Sequence, residues 1–83
     1  MAEIQIKIET YGAIERLLPK NLNFSCVENS MVLEILQQIS DQYPDCASLL
    51  EKCACAIGEE IIPRRHRLTN HCTLVLLSPV AGG

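Results

Sequence analysis

The residues best suited to chemistry stand at the end of the sequence, in Ser78-Pro79-Val80-Ala81-Gly82-Gly83. A domain that ends in two glycines would offer a free carboxylate on a narrow stalk, because glycine has no Cβ and adopts φ angles closed to other residues. ATP can activate a carboxylate as an acyl-adenylate, and a sulfur donor can then displace AMP to leave a nucleophilic thiocarboxylate. The alternative is an end without a role, which is common for chain termini.

Five cysteines form a second candidate. Cys53 and Cys55 are two apart on a predicted strand and so share a face, and with His71 or Cys72 they could hold zinc. Cys-x-Cys is not the usual spacing of a zinc knuckle, however, and a free cysteine is commonly a small buried side chain. An odd number without a secretory signal also argues against a disulfide framework. We therefore expect no metal and reduced thiols. The five are Cys26, Cys46, Cys53, Cys55 and Cys72.

The basic run Arg64-Arg65-His66-Arg67 is a third candidate, either as a solvated loop or as a site that steers an anionic substrate or docks an acidic partner. Its role stays open at this stage. The net charge of −3 argues against nucleic acid as a partner. No run approaches the length of a membrane span, and the first residues do not resemble a signal peptide. We expect one cytoplasmic domain over residues 1–83, with a flexible tail from about residue 78.

Alternating apolar residues predict the strands. Glu3 to Thr10 and Asn21 to Cys26 each place every second apolar side chain on one face, which indicates an antiparallel hairpin. Cys53 to Ile57 is short and apolar, Ile61-Ile62 is confined to a sheet edge by the proline after it, and Thr73 to Leu77 is the last strand. The sequence therefore predicts strands before and after a single long helical stretch.

That helix is predicted from one apolar stripe with 3.6-residue spacing, and Ser30 is its expected N-cap, with Asn29 as the alternative. Pro44 ends it, because the residue before a proline is pushed out of the α region. Leu49 and Leu50 should pack inward from a helical turn between Asp45 and Lys52. One core is expected to contain Ile6, Leu22, Phe24, Val32, Ile35, Leu36, Ile39 and Leu74.

The last strand is apolar on both faces. Leu74 and Leu76 point one way, and Val75 and Leu77 point the other. The helix can cover only one of these faces, so we expect another protein to cover the one that carries Val75 and Leu77. The element order indicates an α+β fold with a mixed sheet and the helix packed across it, as in a β-grasp (ubiquitin-like) domain.

Several segments resemble the small-subunit family of molybdopterin synthase, whose members are sulfur carriers related to the thiamine sulfur carrier and to ubiquitin. Tyr11-Gly12-Ala13-Ile14-Glu15-Arg16 is similar to that family's aromatic-x-x-x-x-Arg element, and Ser30 to Leu36 is similar to its helix opening. Ala54 to Pro63 corresponds to the strand and turn before the last strand. The most specific segment is Leu74 to Gly83, since the family ends in apolar-Pro-Pro-Val-small-Gly-Gly. Ser78 stands where the first proline is usual.

The resemblance implies a route for sulfur. An E1-like enzyme would adenylate Gly83 with ATP, a sulfur donor protein would supply the sulfur, and the thiocarboxylate would enter the large subunit to sulfurate cyclic pyranopterin monophosphate. Pro79, Val80, Ala81 and Gly82 would be bound as the tail enters. The chain would hold no permanent cofactor and would not be catalytic alone.

Three alternatives remain from the sequence. The chain could carry sulfur in another pathway, such as that of thiamine, although Pro79-Val80 before the small-Gly-Gly end favours the molybdopterin branch. It could be a ubiquitin-like modifier joined to lysines. It could also be a small metal-binding domain that uses its cysteines.

Overall fold

The computed structural model describes residues 2–79. The described part contains one five-stranded sheet, a two-stranded ribbon, one long and one short α-helix, and two short 3₁₀ helices. The elements in chain order are β1 Glu3–Tyr11, a 3₁₀ helix Ala13–Arg16, β2 Leu22–Val27, β3 Ser30–Met31, α1 Val32–Gln42, a 3₁₀ helix Pro44–Cys46, α2 Ala47–Leu50, β4 Ala54–Ile57, β5 Glu60–Ile62, β6 Arg67–Leu68 and β7 Cys72–Leu77.

The large sheet has the strand order β2-β1-β7-β4-β5. β1 pairs in parallel with β7 and antiparallel with β2, while β4 pairs antiparallel with β7 and β5. The last strand is therefore central in the sheet, and β5 lies at an edge, as Pro63 predicted. The α+β arrangement with a mixed sheet is confirmed, and it brings the end of β7 beside the end of β1.

One core lies between the sheet and α1. The stripe on the helix is buried as predicted, and so are alternate residues of β1, β2 and β7. Leu22 is only partly buried and packs against this core from its margin. Sequence periodicity thus placed the inward faces correctly. The buried residues of α1 are Val32, Ile35, Leu36 and Ile39, and those of the three strands are Ile4, Ile6, Ile8, Phe24, Cys26, Leu74 and Leu76.

The N-cap prediction is wrong. Ser30 lies in the short strand β3, opposite Leu68, and α1 begins after Met31. The first helical N–H groups donate to backbone carbonyls of another loop, Val32 N to His66 O and Leu33 N to Arg64 O, both at 2.9 Å. Tertiary contacts thus satisfy the donors that a serine cap would otherwise satisfy.

The end of α1 agrees with the sequence. The helix stops at Gln42, and Tyr43 leaves the α region with φ −129° and ψ 73° directly before Pro44. A 3₁₀ turn and α2 follow, and they bury Cys46 and Leu50, while Leu49 packs against the core. This segment closes the end of the core between α1 and β4.

Truncating Leu36 to alanine should lower the free energy of unfolding by about 2–5 kcal/mol, because a well-packed buried side chain leaves a cavity. Leu36 is 5% exposed and lies in the middle of the buried stripe. Urea denaturation of the wild type and the variant measures the difference. Leu33→Ala is the matched control, because Leu33 lies on the same helix and is 42% exposed. An unchanged midpoint for Leu36→Ala would contradict the assigned packing.

Candidate functional site

The chain leaves the sheet at the end of β7, where Ser78 follows Leu77. Ser78 N donates to Tyr11 O at 3.0 Å, so the parallel ladder with β1 continues one residue past the strand. Pro79 is exposed. Of the tail residues predicted from sequence, Val80, Ala81, Gly82 and Gly83 lie outside the described residues. Of the tail, the structure therefore describes Ser78 and Pro79, which we call its root.

The sheet face opposite α1 carries an apolar patch, which we call the open-face patch. Strand pairing sets Leu77 beside Tyr11 and Ala54, and Val75 beside Ala56, which in turn faces Ile61. Tyr11, Ile61 and Ala54 are exposed, Tyr11 at 52% and Ile61 at 65%, whereas Val75 and Leu77 are half-buried and Ala56 is covered by its neighbours, at 6%. Val75 and Leu77 thus lie on the face that the sequence predicted. The patch consists of Tyr11, Ala54, Ala56, Ile61, Val75 and Leu77.

The patch lies next to the root of the tail, since Tyr11 and Leu77 belong to it and Ser78 comes directly after. Glu9, opposite Val75, and Lys7, opposite Thr73, lie on β1 beside it and place charges at its margin. An exposed apolar surface with a charged margin is typical of a protein-binding site. A partner docked here would also contact the point where the tail leaves.

The surface predicted from sequence did not include Tyr11, Ala54, Ala56 and Ile61. Two alanines give no pattern by themselves, and Tyr11 lies one residue beyond the first predicted strand, which ends at Thr10. Only the pairing of β1 and β4 with β7 brings them together. The one available signal was Ile61, an apolar residue on a predicted edge strand next to Ile62.

The solvated-loop interpretation of the basic run is wrong for Arg64. Its guanidinium donates to three backbone carbonyls, Leu50 O at 2.9 Å, Glu51 O at 2.9 Å and Cys53 O at 3.0 Å. Since Arg64 O also accepts from the first turn of α1, this one residue joins three segments of the fold. Arg65, His66 and Arg67 are exposed.

Replacing Arg64 with methionine should lower stability by about 1.5–3 kcal/mol, because charge-assisted hydrogen bonds are lost and carbonyl groups lose their donor. Methionine keeps much of the alkyl length, so the change mainly removes the guanidinium. Arg65→Met is the matched control, because Arg65 is exposed and no side-chain hydrogen bond is found for it among residues 2–79. Equal unfolding midpoints for the two variants would contradict this structural role.

The five cysteine side chains pack in or against the core. Cys26, Cys46, Cys53 and Cys55 are buried and Cys72 is half-buried, and all five are free. Burial raises the pKa of every one of these thiols, so each is protonated at neutral pH and is a weak nucleophile. No group of three or more possible metal ligands occurs within residues 2–79. That the chain is metal-free and reduced in the cell stays a prediction.

A model of the ThiS family matches residues 14–83. The chain belongs to the ThiS family. Proteins of this family are ubiquitin-like sulfur carriers, so the family resemblance drawn from sequence is confirmed. The match runs through Gly82 and Gly83 and covers most of the chain. No curated protein sequence matched.

Solved structures support the fold of this ThiS-family chain. SAMP1, small archaeal modifier protein 1 of Haloferax volcanii, is 12% identical, with a TM-score of 0.81 over 95% of this chain and 99% of that one. A ubiquitin of Caldiarchaeum subterraneum is 14% identical, with a TM-score of 0.67 over 99% of this chain and 100% of that one. The β-grasp prediction is thus confirmed.

A third structure is the complex of subunits 1 and 2 of the molybdopterin-converting factor of Helicobacter pylori. The matching chain is 23% identical to this one, with a TM-score of 0.64 over 96% of this chain and 100% of that one. At this identity the likeness shows a shared fold.

Within residues 2–79, no helix has the length and apolar character needed to cross a bilayer.

Proposed function

We propose that this chain is the sulfur-carrying small subunit of molybdopterin synthase. The observation that carries the proposal is the family match through Gly82 and Gly83, on a fold whose last strand ends beside an apolar surface. A glycine carboxylate at this position has no side chain to obstruct entry into a narrow active site. The subunit complex from Helicobacter pylori supports a large-subunit partner.

The sulfur cycle follows from the chemistry of a carboxylate. An oxygen of Gly83 attacks the α-phosphorus of ATP in an E1-like enzyme, pyrophosphate leaves, and an acyl-adenylate forms. A sulfur donor protein then supplies the sulfur that displaces AMP. The thiocarboxylate sulfur attacks a carbon of cyclic pyranopterin monophosphate in the large subunit and displaces an oxygen substituent from it, which gives a thioester. Hydrolysis of the acyl–sulfur bond leaves the sulfur on the pterin and returns Gly83 to a carboxylate. The partners supply the catalytic side chains, and the chain itself supplies the acyl group.

The open-face patch gives this cycle its docking surface. Its apolar residues lie side by side across β1, β7, β4 and β5, and the charged residues Lys7 and Glu9 lie beside them on β1. This is the arrangement of a protein interface with a desolvated apolar centre. Since the patch borders Ser78, a partner bound there receives the tail at its own surface. The buried, protonated thiols also stay out of the sulfur transfer, because a thiolate would be needed to attack the adenylate.

Reconstitution tests the proposal and its alternatives. The chain with a chemically prepared C-terminal thiocarboxylate is mixed with the large subunit and cyclic pyranopterin monophosphate, and molybdopterin is measured. The same chain with a carboxylate is the matched control. We expect molybdopterin only from the thiocarboxylate. Sulfur transfer to a thiamine thiazole precursor instead would favour the thiamine-type carrier, and isopeptide conjugates on lysines of cellular proteins would favour a modifier.

A further inference from the structure

The root of the tail is held by a side chain that the sulfur cycle does not use. Ser78 Oγ donates to Tyr11 O at 2.8 Å and accepts from Ile14 N at 3.2 Å. The hydroxyl group therefore uses both its donor and an acceptor position to join the end of β7 to the last residue of β1 and to the 3₁₀ helix that follows it. With the backbone bond from Ser78 N to Tyr11 O, three hydrogen bonds meet at this residue.

The loop is shaped to receive the hydroxyl. Gly12 has φ +88°, a conformation that side chains disfavour, and a Cβ added there would collide with Ser78 Oγ. Ile14, the residue whose N–H donates to Ser78 Oγ, is fully buried in the core. The hydroxyl is thus bonded on one side to a strand and on the other to a residue that cannot move without disturbing the core. We call Tyr11, Gly12, Ile14 and Ser78 the clasp.

We propose that the Ser78 hydroxyl is a positioning group that fixes the direction in which the tail leaves the sheet. This inference rests on the proposed function. Pro79 follows with its φ restricted by its ring, and proline also restricts the residue before it, so the direction set at Ser78 is passed to the next residue.

The length of the tail makes its starting direction important for where Gly83 arrives. Four residues follow Pro79, and a fully extended chain spans at most about 3.6 Å per residue, so Gly83 is within roughly 14 Å of Pro79. If a partner holds the tail extended, a swing of about 20° at the root would displace its end by roughly 5 Å. Because misplacement by about 1 Å can cost a hundredfold in rate, a loose root reduces the fraction of docked complexes that can react.

The clasp and the open-face patch therefore predict different kinetic effects. Docking depends on the patch and sets KM for the chain. Tail direction acts after docking and sets kcat. Ser78→Ala removes the hydroxyl and keeps the backbone bond to Tyr11. Both hydrogen bonds of the hydroxyl are then lost. We expect kcat for sulfur transfer to fall by at least roughly tenfold, since the loss of even one net hydrogen bond shifts a two-state equilibrium by about that factor, with KM unchanged.

Two further variants make the test specific. Ser78→Thr keeps a hydroxyl group and should restore most of kcat. Ser48→Ala, at an exposed serine of α2, is the matched control and should change neither constant. The rate of deuterium exchange at the Ile14 N–H measures whether the clasp is formed in the free chain. This rate should rise in Ser78→Ala and stay low in Ser78→Thr and Ser48→Ala.

The experiment uses the full thiocarboxylated chain with the large subunit and cyclic pyranopterin monophosphate. If the wild type is active and Ser78→Ala has the same kcat, the positioning role is overturned and the proposed function stands. A rise in KM alone would also overturn it, because the hydroxyl would then belong to the docking surface. An inactive wild type would instead overturn the proposed function, and the positioning role with it.

Discussion

A chain without Gly83 is expected to fold normally and to form no thiocarboxylate. The last core residue among those described is Leu76, seven positions before Gly83, so we expect the deletion to leave the core intact. It shortens the tail by one residue, about 3.5 Å, and takes the carboxyl carbon out of reach of the activating site. Pyrophosphate release with the E1-like enzyme and molybdopterin formation should both fall to background, while the free energy of unfolding changes by less than about 0.5 kcal/mol.

An extra glycine added before Met1 is the matched control for this deletion. β1 and β7 run parallel, so the start of β1 lies at the opposite end of the sheet from Ser78. This control changes the chain length by one residue away from the tail and should keep full activity. An extra residue after Gly83 should inactivate, because the reactive carbon moves out of register. Molybdopterin formation by the Gly83-deleted chain would refute the carrier mechanism.

Leu77→Lys is expected to abolish assembly with the large subunit. Leu77 lies in the open-face patch between Tyr11 and Ala54, so the new ammonium group would be buried without a partner at the interface. Such a charge costs about 3–5 kcal/mol, which weakens binding by roughly a hundredfold or more. Isothermal titration of the chain into the large subunit measures the change.

Gln5→Lys is the matched control, because it adds the same charge to the same sheet face but outside the patch. Gln5 is exposed and faces Ser25 on β2. We expect its affinity to stay near that of the wild type. Since Leu77 is half-buried and not part of the core, both variants should remain folded. Unchanged affinity of Leu77→Lys would place the interface elsewhere on the molecule.

The spacing of apolar residues predicted those elements whose pattern depends only on their own sequence and on which side faces the core. Alternation in β1 and β2, the stripe on α1 and the stop at Pro44 each follow from one element and the core it faces. The open face of β7, with Val75 and Leu77, was also predictable because a single helix cannot cover both sides of a strand. That Val75 and Leu77 form an interface stays a prediction, which binding of Leu77→Lys to the large subunit tests.

Contacts between distant segments were not predictable in the same way. Ser30 was expected to cap α1, but the carbonyl groups of Arg64 and His66 perform that role from far along the chain. In the sequence this loop is the basic run from Arg64 to Arg67, and no feature of that run indicates that Arg64 donates to three backbone carbonyls. The bond from Ile14 N to Ser78 Oγ likewise joins residues 64 positions apart, which no local pattern reveals.

The most direct test of the carrier mechanism is the mass of the C-terminal peptide of the protein purified from its native cells. We expect a peptide that ends at Gly83, with a fraction in which one carboxylate oxygen is replaced by sulfur. Blocking the sulfur supply should remove that fraction and leave the carboxylate. A peptide that continues past Gly83, or one found only as an unmodified carboxylate while sulfur is available, would contradict this mechanism.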